Sequence, residues 1–134
     1  MKIYLCGGMK GSWQDQVIAA LPRDEFLDPR SHGLTDEQAY TQWDLAAIDR
    51  ADLVLAVMTA DNPSGYGLNL EIGYAKAKGV PVYLVCEDLG DRMKYFGMAR
   101  QCSRVFPALA AVIARLQAPT GGWHSLCNWP FDPE

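Results

Sequence analysis

Six consecutive apolar residues, Leu53-Val-Leu-Ala-Val-Met58, constrain the architecture of this chain more tightly than any other segment. A run this short, with no polar alternation, belongs to a strand covered on both faces, and such strands sit in parallel sheets between two layers of helix. The flanking sequence agrees, because amphipathic stretches of helical period lie on either side of the run.

The same alternation extends along the chain. Ile3 to Cys6 opens as a buried strand ended by Gly7-Gly8, and Ser12 is placed to cap a helix through about Leu21, where Pro22 stops it. Glu25 to Leu27 supplies a brief second strand, and Asp28 to Gly33 a loop. Thr35 followed by Gln38 reads as a capping box for a helix running to Arg50. After Leu53–Met58 comes the turn cluster Asp61-Asn-Pro-Ser-Gly65, then a helix from Tyr66 closed by Gly79, then a fourth strand over Val80–Cys86. Asp91–Arg100 is expected as a short helix, Ser103–Phe106 as a fifth strand and Pro107–Gln117 as a last helix opened by its proline. Strands interleaved with helices predict an α/β fold, a flavodoxin-like three-layer sandwich around a five-stranded parallel sheet. Residues 1–118 form the expected domain. Residues 119–134, with Trp123, Trp129 and Phe131, form an aperiodic aromatic tail expected to pack on the domain or on a neighbouring subunit.

Two acids stand where apolar residues belong. Leu68, Glu71, Ile72, Ala75 and Gly79 share one helix stripe, and Asp44 lies on another with Tyr40, Trp43, Ala47, Ile48 and Ala51. Acids are favoured in the first turn of any helix and stay solvated there, which is the plain alternative for Glu71. Two carboxylates on inward stripes point instead to a polar pocket built for chemistry, because a buried charge is costly unless paired, hydrogen-bonded or neutralised.

Composition removes several function classes. A balance of 12 basic and 16 acidic residues, with no Lys/Arg block, argues against a partner of polymeric nucleic acid. Cys6, Cys86, Cys102 and Cys127 are scattered without ligand spacing, so neither a zinc site nor a disulfide framework is indicated, and no cofactor is expected. The short apolar run at Ile3–Cys6 and the lack of any long one predict a cytoplasmic protein with no membrane partner. Gly7-Gly8-Met9-Lys10-Gly11-Ser12 matches neither the dinucleotide nor the P-loop fingerprint. It can still bring Lys10 and backbone N–H groups to the sheet edge that Glu71 occupies, with a plain surface lysine as the alternative. Arg30, Ser31 and His32 lie in a loop within reach of the same edge, and a simple surface turn is the other reading.

Three separated motifs give the chain a resemblance to a known family. Ile3-Tyr-Leu-Cys-Gly-Gly-Met-Lys-Gly11, Asp44-Leu-Ala-Ala-Ile-Asp-Arg-Ala-Asp-Leu-Val54 and Gly67-Leu-Asn-Leu-Glu-Ile-Gly-Tyr-Ala75 resemble, in order, segments of the nucleoside 2-deoxyribosyltransferases and the related 2′-deoxynucleoside 5′-monophosphate N-hydrolases. The likeness runs from Met1 to about Cys86 and selects the same two acids. It implies Glu71 as nucleophile on the anomeric carbon, Tyr4 orienting it, and Asp44 protonating the leaving base or holding sugar hydroxyls. It places Gly7, Gly8, Lys10, Ser64, Gly65 and Gly67 around the substrate, and Met98 near a site shared across a homodimer. The position six residues before the nucleophile, often Asp or Ser in relatives, is Gly65 here, with Ser64 one step earlier. The implied partners are a small nucleoside or nucleotide and a free nucleobase. Transfer of 2-deoxyribose between bases is the expected reaction, hydrolysis of a nucleoside or its 5′-monophosphate the alternative, and a non-catalytic nucleotide sensor the competing class.

Overall fold

The computed structural model of the protein describes residues 1–118; the expected packing of the aromatic tail lies outside the described residues. Strands β1 (Lys2–Gly7), β2 (Glu25–Leu27), β3 (Leu53–Met58), β4 (Val82–Cys86) and β5 (Arg104–Phe106) form one fully parallel sheet in the order β2-β1-β3-β4-β5. Helices α1 (Trp13–Ala20) and α5 (Leu109–Gln117) contact each other on one face, and α2 (Glu37–Arg50), α3 (Tyr66–Lys78) and α4 (Gly97–Gln101) form the other layer. This is the expected flavodoxin-like sandwich. Among the described residues no helix is long and apolar enough to cross a membrane.

Period-two alternation sorts the core into two clusters. Ile3, Leu5, Leu53, Leu55 and Val57 face α1 and α5, whereas Tyr4, Cys6, Val54, Ala56 and Met58 face α2 and α3. All six residues of β3 are buried, as their uninterrupted apolar character requires. Strand β1 lies between β2 and β3, so the chain leaves it toward one edge of the sheet and leaves β3 toward the other. The loops after β1 and β3 therefore diverge, and the crevice that opens between them at the carboxyl ends of the strands is where open α/β sheets bind ligands.

Several element ends differ from the sequence expectation, each for a local reason. The α2 cap is Asp36 rather than Thr35: its carboxylate accepts the Ala39 N–H at 2.9 Å, and a charged acceptor suits the positive helix end better than a hydroxyl. Ser12 precedes α1 but makes no side-chain cap. Gly79 is exposed rather than part of the α3 stripe, because it adopts φ 75° to end the helix while Val80 donates back to Ala75 O. That bond uses the Val80 N–H, and β4 begins only at Val82. The single helix expected over Asp91–Arg100 is a 3-10 segment, Gly90–Phe96, followed by α4; the break falls at Phe96, whose ring is buried in the core. Helix α5 starts at Leu109, after extended Ala108, rather than at Pro107. On α2 the apolar stripe deepens toward its end: Ala47 and Ile48 are fully buried, while Tyr40 is exposed.

Gly65 shows how tightly the entry to α3 is built. It sits at φ 70°, and a Cβ there would meet Met58 Sδ at 2.8 Å and Phe96 Cζ at 2.9 Å. Gly65→Ala should therefore destabilise the protein by about 1–3 kcal/mol. Gly73, exposed inside α3 with nothing near a built Cβ, should behave oppositely, Gly73→Ala stabilising by about 0.5–1 kcal/mol. Urea unfolding of both variants checks the pair, and similar effects of like sign would contradict the contrast.

Candidate active site

Strand β1 and helix α3 bring the first constellation together. Tyr4 and Cys6 are two residues apart on β1, so both project toward the helix layer, and both reach the carboxylate of Glu71. The Tyr4 hydroxyl donates a hydrogen bond to Glu71 Oε2, and Cys6 Sγ lies 3.8 Å from Oε1. On the same helix Leu68, Ile72 and Ala75 are buried against the sheet, so Glu71 sits on the core stripe as its spacing predicts. The plain alternative of a solvated first-turn acid does not hold.

A cleft of about 520 Å³ opens over this pair. Its walls are the loop after β1, the loop after β3 and the first turn of α3, with Glu71 at the inner end. Of the residues expected around a substrate, Gly7, Gly8, Lys10, Ser64, Gly65 and Gly67 all line this cleft. Tyr4 lies beneath it, fully buried. Asp44 and Met98 are not in its lining. Met98 stands on α4 with 84% of its surface exposed, while Phe96, two residues earlier, is buried within its own chain.

Both loops are braced. Trp13 Nε1 and Gln14 Nε2 donate to Gly8 O at 3.1 and 3.0 Å, which fixes the turn after β1 against α1. Across the cleft, Asn62 Oδ1 accepts the N–H groups of Ser64 and Gly65 at 3.3 and 3.1 Å. Arg92 donates to Asn62 O at 2.8 Å and to Ala60 O at 2.7 Å, tying the second loop to the 3-10 segment. The sequence reading caught the turn cluster as punctuation but missed Arg92, since nothing local links a residue thirty positions downstream to that loop.

Asp44 enters from α2, half-buried, and accepts a hydrogen bond from His32 Nε2 at 3.2 Å. Its charge is close enough to raise the proton affinities of Glu71, Tyr4 and Cys6, so it belongs to the same electrostatic unit. Burial pushes Glu71 up to about 7, with the hydrogen bond from Tyr4 opposing and the charge of Asp44 adding. Burial also raises Asp44, against the opposing pull of His32. Tyr4 is raised far above the ordinary tyrosine range by burial and by Glu71, so it remains a donor. The sequence reading left His32 open between pocket and surface turn. Its one available signal was the short turn begun by Asp28, whose carboxylate accepts the Arg30 N–H at 3.0 Å. Among the described residues no cluster of three or more His, Cys, Asp or Glu could hold a metal ion.

A protein-family model described as nucleoside 2-deoxyribosyltransferase matches residues 3–103. No curated protein matches the sequence significantly. Among solved structures the fold is similar to that of a Clostridium botulinum CMP N-glycosidase, BcmB, with a TM-score of 0.57 at 18% identity, covering 87% of this chain and 98% of that one. The family match takes in the sheet from Ile3 through β4, the cleft and both acids, and the chain belongs to the nucleoside 2-deoxyribosyltransferase family.

Proposed function

We propose that the protein cleaves the N-glycosidic bond of a 2-deoxynucleoside through a covalent glycosyl-Glu71 ester and transfers the sugar to a second nucleobase. The observation that carries this reading is a buried carboxylate, oriented by the Tyr4 hydroxyl, at the inner end of a cleft large enough for a nucleoside. In the first step a Glu71 oxygen bonds to C1′ while the C1′–N bond breaks, and its electron pair leaves with the base. Asp44, in its protonated form, supplies the proton that neutralises the departing nitrogen. In the second step the acceptor nitrogen attacks C1′ from the opposite face, returns its proton to Asp44 and frees the Glu71 carboxylate. Two inversions give net retention. Tyr4, buried and unable to ionise in the working range, orients the nucleophile without joining the proton transfer.

A second reading has water as acceptor and a 5′-monophosphate as substrate. It is favoured by Lys10 and the glycine-rich turn at the cleft, which suit an anion, and by the activity named for the fold neighbour. Met98, exposed on α4, is assigned to a contact between subunits of a homodimer. A sensor without catalysis has no use for a nucleophile held this way.

Incubation with a deoxynucleoside and a different free base separates the two reactions. A new nucleoside is expected; free sugar alone would replace transfer by hydrolysis, and binding without turnover would leave only the sensor. Repeating the assay with the monophosphate reads the need for a phosphate.

The pH dependence follows from Glu71 and Asp44. Glu71, with a pKa of about 7, must be ionised while Asp44 must still hold its proton, so kcat/KM should rise with pH on the acid side as Glu71 ionises and fall again on the alkaline side as Asp44 loses its proton. Tyr4→Phe removes a donor that favours the ionised form, so its acid limb should move to higher pH. An unmoved limb would remove Tyr4 from this role.

Stability should move the opposite way. A raised carboxyl pKa means that the folded state holds its proton between about 4.5 and about 7 while the unfolded chain has lost it. The stabilising contribution is thus present at low pH and lost as pH rises through 7, a cost on the order of 3 kcal/mol at alkaline pH. Glu71→Gln keeps an acceptor for Tyr4 and removes the charge. It should abolish turnover by about a thousandfold or more yet unfold at a higher temperature than the parent at pH 8, with the difference shrinking at pH 5. Thermal melts at the two pH values, paired with the product assay, check both halves.

A further inference from the structure

His32 is held on three sides. Its Nδ1 accepts the Leu34 N–H at 2.9 Å, its ring meets Trp43 edge-on with centroids 4.8 Å apart, and its Nε2 lies 3.2 Å from Asp44 Oδ1. Gly33, at φ 61°, makes the turn that folds Leu34 N back onto the ring. Only 8% of the imidazole is exposed. This is not the geometry of a surface turn.

The contacts decide where the proton sits. A nitrogen that accepts a backbone N–H carries no hydrogen, so Nδ1 is bare and the neutral ring bears its proton on Nε2. Nε2 therefore donates to Asp44. The Leu34 N–H thus fixes which ring nitrogen faces Asp44 as the donor. Among the described residues, the hydrogen bond from His32 engages Asp44 Oδ1 and none is given to Oδ2. His32 from the loop is the titratable group acting on this carboxyl, whose charge in turn acts on Glu71 from α3 and on Tyr4 and Cys6 from β1. Arg30 does not compete, because its guanidinium is taken by Asp28 and Asp15.

We propose that His32 is the positioning residue of Asp44: an imidazole, fixed by Leu34 and Trp43, that holds one carboxyl oxygen and reserves the other for the substrate. This rests on the proposed participation of Asp44 in the reaction. His32 thus acts through Asp44 on the rate. A donated hydrogen bond also favours the ionised carboxylate, so losing it makes Asp44 release its proton at higher pH.

The test is a double-mutant cycle on the full chain, with kcat and KM measured across pH 5 to 9 for whichever nucleoside or monophosphate the protein turns over. His32→Phe keeps a ring beside Trp43 and removes the donor. It should lower kcat about tenfold, the worth of a hydrogen bond to a charged group, while KM changes far less. It should also raise the titration midpoint of the Asp44 carboxyl carbon, read by NMR and assigned by its loss in Asp44→Asn. His32→Gln, whose amide can donate from nearly the same place, should restore most of the rate. In an Asp44→Asn background, His32→Phe should cost less than about twofold. Losses that multiply in the double variant, or an Asp44 titration unmoved by His32→Phe, would overturn the proposal even with catalysis intact. Should His32→Phe fail to fold, the rate and Asp44 titration of His32→Gln decide: parent-like values in both support the proposal, and a rate loss with the Asp44 titration unmoved overturns it. If Asp44→Asn alone keeps full activity, the reading of Asp44 fails first, and the role of His32 with it.

Discussion

The hydrogen bond from Tyr4 to Glu71 joins the two requirements that the rest of the structure serves. A carboxylate placed on the core stripe of a helix is destabilised by burial, and in the proposed reaction that same burial makes it a better nucleophile, since a poorly solvated anion has less hydration to shed before it attacks. Tyr4 sets the balance. Its hydroxyl favours the charged form enough to keep Glu71 near neutrality instead of leaving it a permanently protonated acid. Because burial and Glu71 raise Tyr4 well above the ordinary tyrosine range, it stays a donor at neutral pH.

Sheet order is what makes that bond possible. Tyr4 comes from the strand at which the chain reverses its direction of travel across the sheet, and Glu71 from the helix that follows the neighbouring strand β3. Loops leaving β1 and β3 diverge and form a cleft without any residue being removed from the core. The braces then matter as much as the pocket: Asn62 with Arg92 on one wall, and Trp13 with Gln14 on the other, hold backbone that carries no regular ladder of its own. Gly65 links this wall to the helix that carries Glu71, being at once the end of the braced loop and the N-cap of α3.

Much of this was legible in the sequence because it is governed by local periodicity. The uninterrupted run of β3, the alternating elements and the anomalous acid on the α3 stripe depend only on nearby residues. What sequence reading missed depends on contacts between distant segments. Asp36 outcompetes Thr35 as a cap by one position, a margin that periodicity does not resolve. Arg92 and His32 act through bonds to residues far along the chain, one to backbone carbonyls and one to a side chain. Asp44 was found as a buried acid, but its helix stripe was drawn too wide, since Tyr40 faces outward. The resemblance added roles that spacing alone leaves open, and the structure supplied the partner that spacing could not.

The two acids, finally, are better understood as one coupled system than as two sites. The charge of Asp44 raises the proton affinity of Glu71, and such coupling is mutual. In the proposed reaction, attack by Glu71 converts an anion into a neutral ester, which removes a negative charge from beside Asp44. Asp44 becomes a stronger acid as the departing base requires a proton. When an acceptor breaks the ester, the carboxylate returns and Asp44 regains its proton affinity as the acceptor has one to release. His32 opposes part of the burial effect on Asp44, which keeps that carboxyl within reach of ionisation. In that proposed cycle Glu71 turns from nucleophile to leaving group and Asp44 from acid to base through a charge that appears and vanishes between them.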